Sequence, residues 1–134
     1  MKHTLGKEER LKSKKLIEKL YEHGNSIKVF PLRMVYLQTS HTSAFPAQVG
    51  VSVAKRNFKK APDRNRLKRV MRESYRLQKE IVYDNLQDPY VFMISYLGKE
   101  EKEYQEIFSK MNKLLYLFIK EVQSTTHEKK NTGL

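Results

Sequence analysis

The spacing of hydrophobic positions changes along the first half of the chain. Residues 7–23 carry apolar side chains at helical spacing and predict an amphipathic helix that Gly24 ends. Residues 29–38 are rich in β-branched and aromatic residues and predict a strand, in which Pro31 implies an edge position or a bulge. Residues 48–54 alternate valines with small or polar residues, which predicts a half-buried strand with an open second face.

The second half predicts a helix, a strand and a helix. The first helix runs from about residue 62 to 83, with Pro62 in its first turn and Asp63 at its positive end. Residues 90–97 form an apolar run that predicts a strand, and residues 100–122 carry the apolar stripe of a final helix. The order α-β-β-α-β-α predicts an α+β fold, a small α/β sandwich with helices packed on a sheet. We expect a single RNA-binding domain over residues 1–122 and a disordered tail over residues 123–134.

Length and composition exclude several classes of protein. A chain of 134 residues with 39% hydrophobic residues suits one domain with a real core. The absence of cysteine excludes a disulfide framework and thiolate chemistry, and it fits a reducing compartment. Residues 1–15 lack the apolar core of a secretory signal, and no window approaches 18 apolar residues. We therefore expect a cytoplasmic protein.

Positive charge is concentrated in one short block. The formal net charge is +12, and residues 55–79 alone contribute +9, against +5 from residues 1–54 and −2 from residues 80–134. A block of one sign is unfavourable through self-repulsion, and a solvated face usually mixes signs. A polyanionic partner, nucleic acid above all, explains the block better than an anionic membrane or solubility does.

The helix within this block separates cations from apolar side chains. At 100° per residue its apolar residues share one side, and only Glu73, four residues from Arg69, is placed to neutralise a cation. Arginine matches phosphate through two parallel hydrogen bonds, which lysine cannot do. The alternative is a surface helix that is enriched in arginine by chance. Such a helix would be expected to carry glutamates four residues from its arginines. The opposite arc, about 140° wide, holds Arg64, Asn65, Lys68, Arg69, Arg72, Arg76 and Lys79.

Aromatic residues lie on or beside the elements that frame the sheet. Aromatic rings next to small-residue strand faces suit the stacking of single-stranded bases. A place in the core is the alternative, and it is the commoner outcome for any one aromatic side chain. The residues concerned are Tyr21, Phe30, Tyr36, Tyr90 and Tyr96.

The stretch "RNRLKRVMRESYR" resembles the signature of the bacterial ribonuclease P protein family, in which Arg-Asn-Arg opens a basic helix. "VGVSVAKR" is similar to the family's strand that ends in paired basic residues, and "RLKSKKLIEKLYEHGNSI" is similar to its first helix. The resemblance covers about residues 7–121. The matching residues are Lys55, Arg56, Arg64, Asn65, Arg66, Lys68, Arg69 and Arg72.

The resemblance implies a function. Those eight residues together with Arg76 are expected to bind ribonuclease P RNA. A cleft between the first helix and the sheet is expected to hold the single-stranded 5′ leader of precursor tRNA, and the RNA, with Mg²⁺ that it mainly holds, is expected to perform the hydrolysis. The chain would then be a subunit of an endoribonuclease with no catalytic residue of its own, no membrane partner and no obligate protein partner. The candidate cleft residues are Lys14, Ile17, Tyr21, Arg33 and Val35.

The resemblance also implies a fold, and the chain departs from the family at several positions. The expected fold is that of ribosomal protein S5 domain 2, with a left-handed crossover that is contrary to the general rule. Ile17 and Tyr21 stand where the family often has two phenylalanines, and Tyr96 stands where it has an arginine. Val35 replaces a common aromatic residue, while its neighbour Tyr36 would point to the other face of the strand. The connector "NFKKAPD" lacks the usual Gly-Asn.

Catalytic groups are not evident in the sequence. The four histidines are scattered, and none has metal-ligand spacing with a carboxylate or a second histidine. An acid/base pair assembled by folding, such as His23 with a glutamate, stays open. Two alternatives to the ribonuclease P subunit therefore remain: a small ribosomal protein that binds rRNA without an enzymatic role, and a protein-only nuclease.

Overall fold

The computed structural model describes residues 5–41 and 43–132, with side chains in this range through residue 124. A single 3-10 turn, Lys7–Glu9, precedes the first helix. The helices are α1 (Lys14–His23), α2 (Ala61–Arg76), α3 (Glu80–Tyr83) and α4 (Tyr104–Thr132). The strands are β1 (Asn25–Val29), β2 (Leu32–Gln38), β3 (Ala47–Val53) and β4 (Tyr90–Tyr96).

The four strands form one mixed sheet in the order β1-β2-β4-β3. The β1–β2 and β2–β4 pairs are antiparallel, whereas β3 and β4 are parallel and are joined through α2 and α3. This arrangement confirms the predicted α+β sandwich. The handedness of the β3–β4 crossover stays a prediction.

The main core lies on one face of the sheet, beneath α2 and α4. Alternate strand residues point to this face because successive side chains of a strand alternate between its two sides. Each fully buried aliphatic or aromatic side chain contributes about 1.5–3 kcal/mol to stability. Fully buried members of the core include Met34, Phe92, Ile94, Leu67, Met71, Ile107, Met111 and Phe118.

The second face of the sheet is only partly covered, by α1. Leu20 of α1 packs with Val35, Val91 and Met93 in a smaller apolar cluster. Farther along the sheet, Ser52 lies opposite Ser95, and their hydroxyl groups are 2.7 Å apart. The small side chains leave this part of the face open, as the alternation in residues 48–54 predicts.

The N-terminal elements differ from their predictions. The helix predicted over residues 7–23 is interrupted: after the 3-10 turn the chain is extended, and α1 begins only at Lys14. The strand predicted over residues 29–38 is two strands of a hairpin, whose turn contains a cis Phe30–Pro31 peptide bond. The pattern hid β1 because three of its five residues are exposed and polar.

The helical boundaries differ as well. The helix predicted from residue 62 to 83 is two helices, because α2 ends at Arg76 and α3 begins at Glu80. The final helix, predicted over residues 100–122, starts at Tyr104 and continues to Thr132. The backbone is therefore helical in most of the stretch predicted as a disordered tail. Disorder of residues 123–134 in solution stays a prediction.

Candidate nucleic-acid interface

Helix α2 places its cations opposite the core, as its sequence predicts. Its buried residues are Leu67, Met71, Ser74 and Tyr75. On the opposite side Asn65, Arg66, Arg69 and Arg72 are exposed, and Arg64, Lys68 and Arg76 are partly exposed.

The prediction for Lys79 is wrong. Its side chain is only 3% exposed, and its Nζ lies 2.6 Å from the carboxylate of Glu9. Because α2 ends at Arg76, the turn of 100° per residue does not continue to position 79. Lys79 therefore belongs to the interior rather than to the cationic arc.

Two arginines of the Arg-Asn-Arg triplet already have protein partners. Arg64 Nη1 donates to the carbonyl oxygens of Phe58 and Lys59, at 2.8 and 2.9 Å, and so holds the connector that precedes α2. Arg66 donates to Glu101 at 2.6 and 2.7 Å and to Asp63 at 3.1 Å. The hydrogen bonds to Glu101 raise the pKa of Arg66, which is charged at any physiological pH.

Among the described residues, ion pairing along α2 leaves Arg69 and Arg72 without a carboxylate, as well as Arg64, which is bound to backbone carbonyl oxygens. Glu73 pairs with Arg76 at 3.2 Å, so the predicted pairing of Glu73 with Arg69 is wrong. Among the residues that the structure describes, neither Arg69 nor Arg72 forms an ion pair with an acidic side chain. Both are exposed and lie one turn apart, so both are available to a phosphate group.

The basic pair at the end of β3 lies at the start of the connector. Lys55 and Arg56 are exposed in a turn that is closed by hydrogen bonds from Asn57 and Phe58 to the Ala54 carbonyl. The ring of Phe58 packs edge-on against Tyr96, with 5.8 Å between ring centroids. The connector is therefore anchored to the core although it departs from the family sequence.

Arg10 is a cation that sequence reasoning misses. Burial lowers the pKa of Arg72, and the positive charge of Arg10 lowers it further. Both line a cavity of about 310 Å³ between the N-terminal segment and β3, together with Ile17, Gly50 and Met93. Residues 9–12 carry no strand signal in the sequence, because the buried Glu9 is charged, and the helical spacing of residues 7–23 predicts a helix there instead.

The candidate cleft residues lie on α1 and β2. Lys14, Ile17 and Tyr21 share one side of α1; Lys14 and Tyr21 are exposed, and Ile17 packs partly against the apolar cluster of the second face. Arg33 is exposed on the second face of the sheet. Val35 is buried beside Leu20 beneath α1, so its side chain is covered rather than open to a ligand.

Most aromatic residues near the sheet belong to the core. Tyr36, Tyr90 and Tyr96 are buried in the main core, and the hydroxyl groups of Tyr36 and Tyr96 donate to Glu121 and to the Glu100 carbonyl, both at 2.6 Å. The prediction that Tyr36 points away from the face of Val35 is confirmed. Tyr21 and Phe30, by contrast, are 52% and 56% exposed.

The described part of the chain offers few candidate acid/base pairs or metal ligands. His23 lies 3.7 Å from Glu22, but both side chains are on the exposed surface of α1. No group of three or more histidine, cysteine, aspartate or glutamate residues there is arranged to hold a metal ion. The described helices also include none with the length and apolar character needed to cross a bilayer.

Sequence comparison places the chain among ribonuclease P proteins. The sequence model of the family described as Ribonuclease P matches residues 5–118. The ribonuclease P protein component of Porphyromonas gingivalis is 42% identical over 89 residues, which are 66% of this chain and 64% of that protein. The chain therefore matches slightly less than two thirds of that relative's length. The corresponding protein of Chlorobium phaeobacteroides is 40% identical over 84 residues, 60% of this chain and 58% of its own length.

Solved structures show the same fold at low sequence identity. The RNase P protein of Thermotoga maritima has a TM-score of 0.66 at 20% identity, over 81% of this chain and 96% of its own. The RNase P protein of Staphylococcus aureus has a TM-score of 0.65 at 17% identity, over 81% of this chain and 94% of its own.

Proposed function

The chain belongs to the ribonuclease P protein family, and we propose that it is the protein subunit of a ribonuclease P. In this role it binds the catalytic RNA and the 5′ leader of precursor tRNA, and it assists the Mg²⁺-dependent removal of that leader. The observation that carries the proposal is the α2 surface, where Arg69 and Arg72 are exposed opposite a buried stripe and have no acidic partner among the described residues. The family match favours this function over the rRNA-binding alternative.

The α2 surface suits the phosphates of a folded RNA. Arginine presents a planar fork that reaches two phosphate oxygens, and the rigid helix fixes the spacing between successive forks. Arg64 and Arg66 contribute differently, because each is already tied to the connector or to Glu101. We assign to Arg64 and Arg66 the placement of the N-terminal end of α2, together with whatever hydrogen-bond capacity their guanidinium groups retain.

The leader is assigned to the second face of the sheet beside α1. A single strand needs a groove with cationic edges and at least one ring on which a base stacks. The small residues Ser52 and Ser95 leave room along the sheet, and Tyr21 is the exposed ring on α1. Val35 is covered by α1, so stacking falls to Tyr21 rather than to the β2 position at which the family often has an aromatic residue.

Hydrolysis is assigned to the RNA partner, with Mg²⁺ held mainly by that RNA. The side chains that α2 presents are chiefly guanidinium and ammonium groups, which bind phosphate as hydrogen-bond donors. A guanidinium keeps its proton in proteins and accepts none, so it stabilises charge but does not act as a general base. The protein accordingly contributes affinity and positioning.

The salt dependence of RNA binding tests this proposal. The double variant Arg69→Gln with Arg72→Gln is expected to weaken binding to ribonuclease P RNA and to lower the slope of log affinity against log salt by about 0.7–0.9 for each phosphate group that the protein no longer neutralises. The matched control is Lys110→Gln with Lys113→Gln, which removes the same charge from α4. A slope that falls equally in both variants, or in neither, would remove α2 from the interface.

A further inference from the structure

Glu9 is a buried carboxylate in a basic N-terminal segment. Its side chain is 2% exposed, although residues 7–15 otherwise carry mainly positive charge. A charge is rarely buried unless it is paired and hydrogen-bonded, because loss of hydration is costly. The surroundings of Glu9 therefore call for a specific explanation.

Three donors converge on the Glu9 carboxylate. Oε1 accepts from Lys79 Nζ at 2.6 Å and from Tyr83 Oη at 2.7 Å, while Oε2 accepts from the backbone N–H of Gly6 at 2.7 Å. Lys79 is itself 3% exposed, and its ammonium group lies 5.4 Å from the centre of the Tyr83 ring. The N-terminal segment is thus fastened by its side chains to the junction of α2 and α3.

The same segment is fastened on its other side to the edge of β3. The backbone N–H of Leu11 donates to the Val49 carbonyl at 2.9 Å, and the Gln48 side chain donates to the Glu8 carbonyl at 3.1 Å. Burial alternates along this extended stretch: Glu9 and Leu11 point inward, and Arg10 and Lys12 point outward. Fixing Glu9 and Leu11 therefore fixes the two cations between and beside them.

Arg10 and Arg72 are like charges that line the same cavity. Their guanidinium groups repel one another, and this repulsion lowers the pKa of Arg72 in addition to the larger effect of burial. In the absence of RNA this repulsion favours release of the N-terminal segment from α2. The buried pair of Glu9 and Lys79 opposes this release, because it holds the residue next to Arg10 in place.

We propose that Glu9 and Lys79 are positioning residues that hold Arg10 and Lys12 next to α2, as a second set of contacts to the RNA phosphates. The inference rests on the proposed function, since it names residues that prepare the same RNA-binding surface. Neither Glu9 nor Lys79 touches the RNA in this account. Their effect on binding passes through Arg10 and Lys12.

A double-mutant design separates positioning from general stabilisation. Lys79→Met is made in the wild-type chain and in the Arg10→Gln, Lys12→Gln chain, and the salt slope of binding to ribonuclease P RNA is measured for each. We expect Lys79→Met to lower the slope in the wild-type chain by about 0.7–0.9 for each phosphate that Arg10 or Lys12 no longer reaches, and to have no further effect when both cations are already absent. Lys113→Met, an exposed change on α4, is the matched control.

A second measurement follows the attachment without RNA. Amide hydrogen exchange at Leu11 reports opening of its bond to Val49, and it is expected to accelerate on the order of tenfold or more in Lys79→Met and in Glu9→Gln. Exchange at Leu67 and Met71 in α2 should stay slow. The apolar pair Glu9→Leu with Lys79→Met removes both charges and is expected to restore slow exchange and the wild-type slope.

Three outcomes overturn the inference: an unchanged slope in Lys79→Met, an equal decrease of the slope in both chains, or unchanged exchange at Leu11. If Lys79→Met does not fold, the same comparisons are made with Glu9→Gln, which preserves the volume of the side chain. Failure of the proposed function is recognised separately. In that case Arg69→Gln with Arg72→Gln also leaves RNA binding unaltered.

Discussion

Gly24 illustrates how a single residue is constrained by its neighbours rather than by its own backbone. It ends α1 as predicted, but its φ of −76° is open to any residue. The constraint is space, because an added Cβ would clash with the Leu20 carbonyl oxygen of α1 and would lie 2.8 Å from Val35 Cγ1 and 2.9 Å from the Tyr36 carbonyl oxygen. The glycine therefore lets α1 approach β2 closely enough to cover Val35.

Gly24→Ala is expected to lower the free energy of unfolding by about 2–3 kcal/mol, since the backbone oxygen cannot move aside as a flexible side chain could. Urea denaturation measures this change. Gly6→Ala is the matched control, because its added Cβ would meet only Glu9 Oε2, at 3.6 Å. Equal decreases in the two variants would show that crowding at Gly24 is unimportant.

Tyr21 carries the stacking role proposed for α1. Tyr21→Ala is expected to reduce the affinity of the reconstituted enzyme for precursor tRNA by about 1–3 kcal/mol and to leave its affinity for mature tRNA unchanged. The comparison variant is Tyr116→Ala, which removes an equally exposed ring from α4. If precursor and mature tRNA lose affinity equally, Tyr21 does not contact the leader.

At the scale of elements, the N-terminal segment links stability to pH. Burial alone would raise the pKa of Glu9, but hydrogen bonds from Lys79, Tyr83 and Gly6 outweigh that effect and hold it below its ordinary value. A lowered carboxyl pKa stabilises the fold above the unfolded-state pKa of about 4.3. That stabilisation is lost as the pH falls through the folded-state value.

Glu9→Gln should therefore destabilise the protein near pH 7, and the difference from wild type should shrink as the pH falls below about 4. Urea unfolding at a series of pH values measures the free energy of unfolding of both proteins. Glu18→Gln, on the exposed side of α1, is expected to show little change at any of these pH values. If Glu9→Gln lowers the free energy of unfolding by the same amount at every pH, the charge of the Glu9 carboxylate does not stabilise the fold.

The elements that sequence predicts well are those whose pattern is set by burial on one side. The predicted bounds of β3 and β4 agree with the structure within one residue, and the predicted buried and cationic sides of α2 are correct up to Arg76. Two of the misses, Lys79 and the segment around Arg10, share a cause, because each depends on contacts between distant parts of the chain. Lys79 is buried by Glu9, seventy residues away, and the segment around Arg10 is extended because it pairs with β3.

The binding surface is predictable to the same degree. The α2 cations follow from helical periodicity alone, which requires no knowledge of the tertiary structure. The proposed cleft is harder to predict, because packing decides whether Tyr21 or Tyr36 is exposed and whether Val35 is covered. The sequence does predict that Tyr36 points to the opposite face from its neighbour Val35, because successive side chains of a strand alternate.

At the scale of the whole molecule, the two faces of the sheet have different roles. Helices α2 and α4 cover one face of the sheet and build the core, and α1 covers part of the other and leaves the rest open. The connector and α2, residues 55–76, carry a net charge of +8 that faces outward, whereas residues 80–134 carry −2. The positive charge is thus presented on one side, where a folded RNA would neutralise it.

Reconstitution with RNA tests directly whether this chain acts as the protein subunit of a ribonuclease P. The protein is mixed with bacterial ribonuclease P RNA at a low Mg²⁺ concentration, and 5′ processing of precursor tRNA is assayed. We expect that RNA alone is nearly inactive, that wild-type protein restores cleavage at the mature 5′ end, and that Arg69→Gln with Arg72→Gln restores less. Cleavage by nuclease-free protein without RNA, or no stimulation of the RNA by the wild-type protein, would contradict this role.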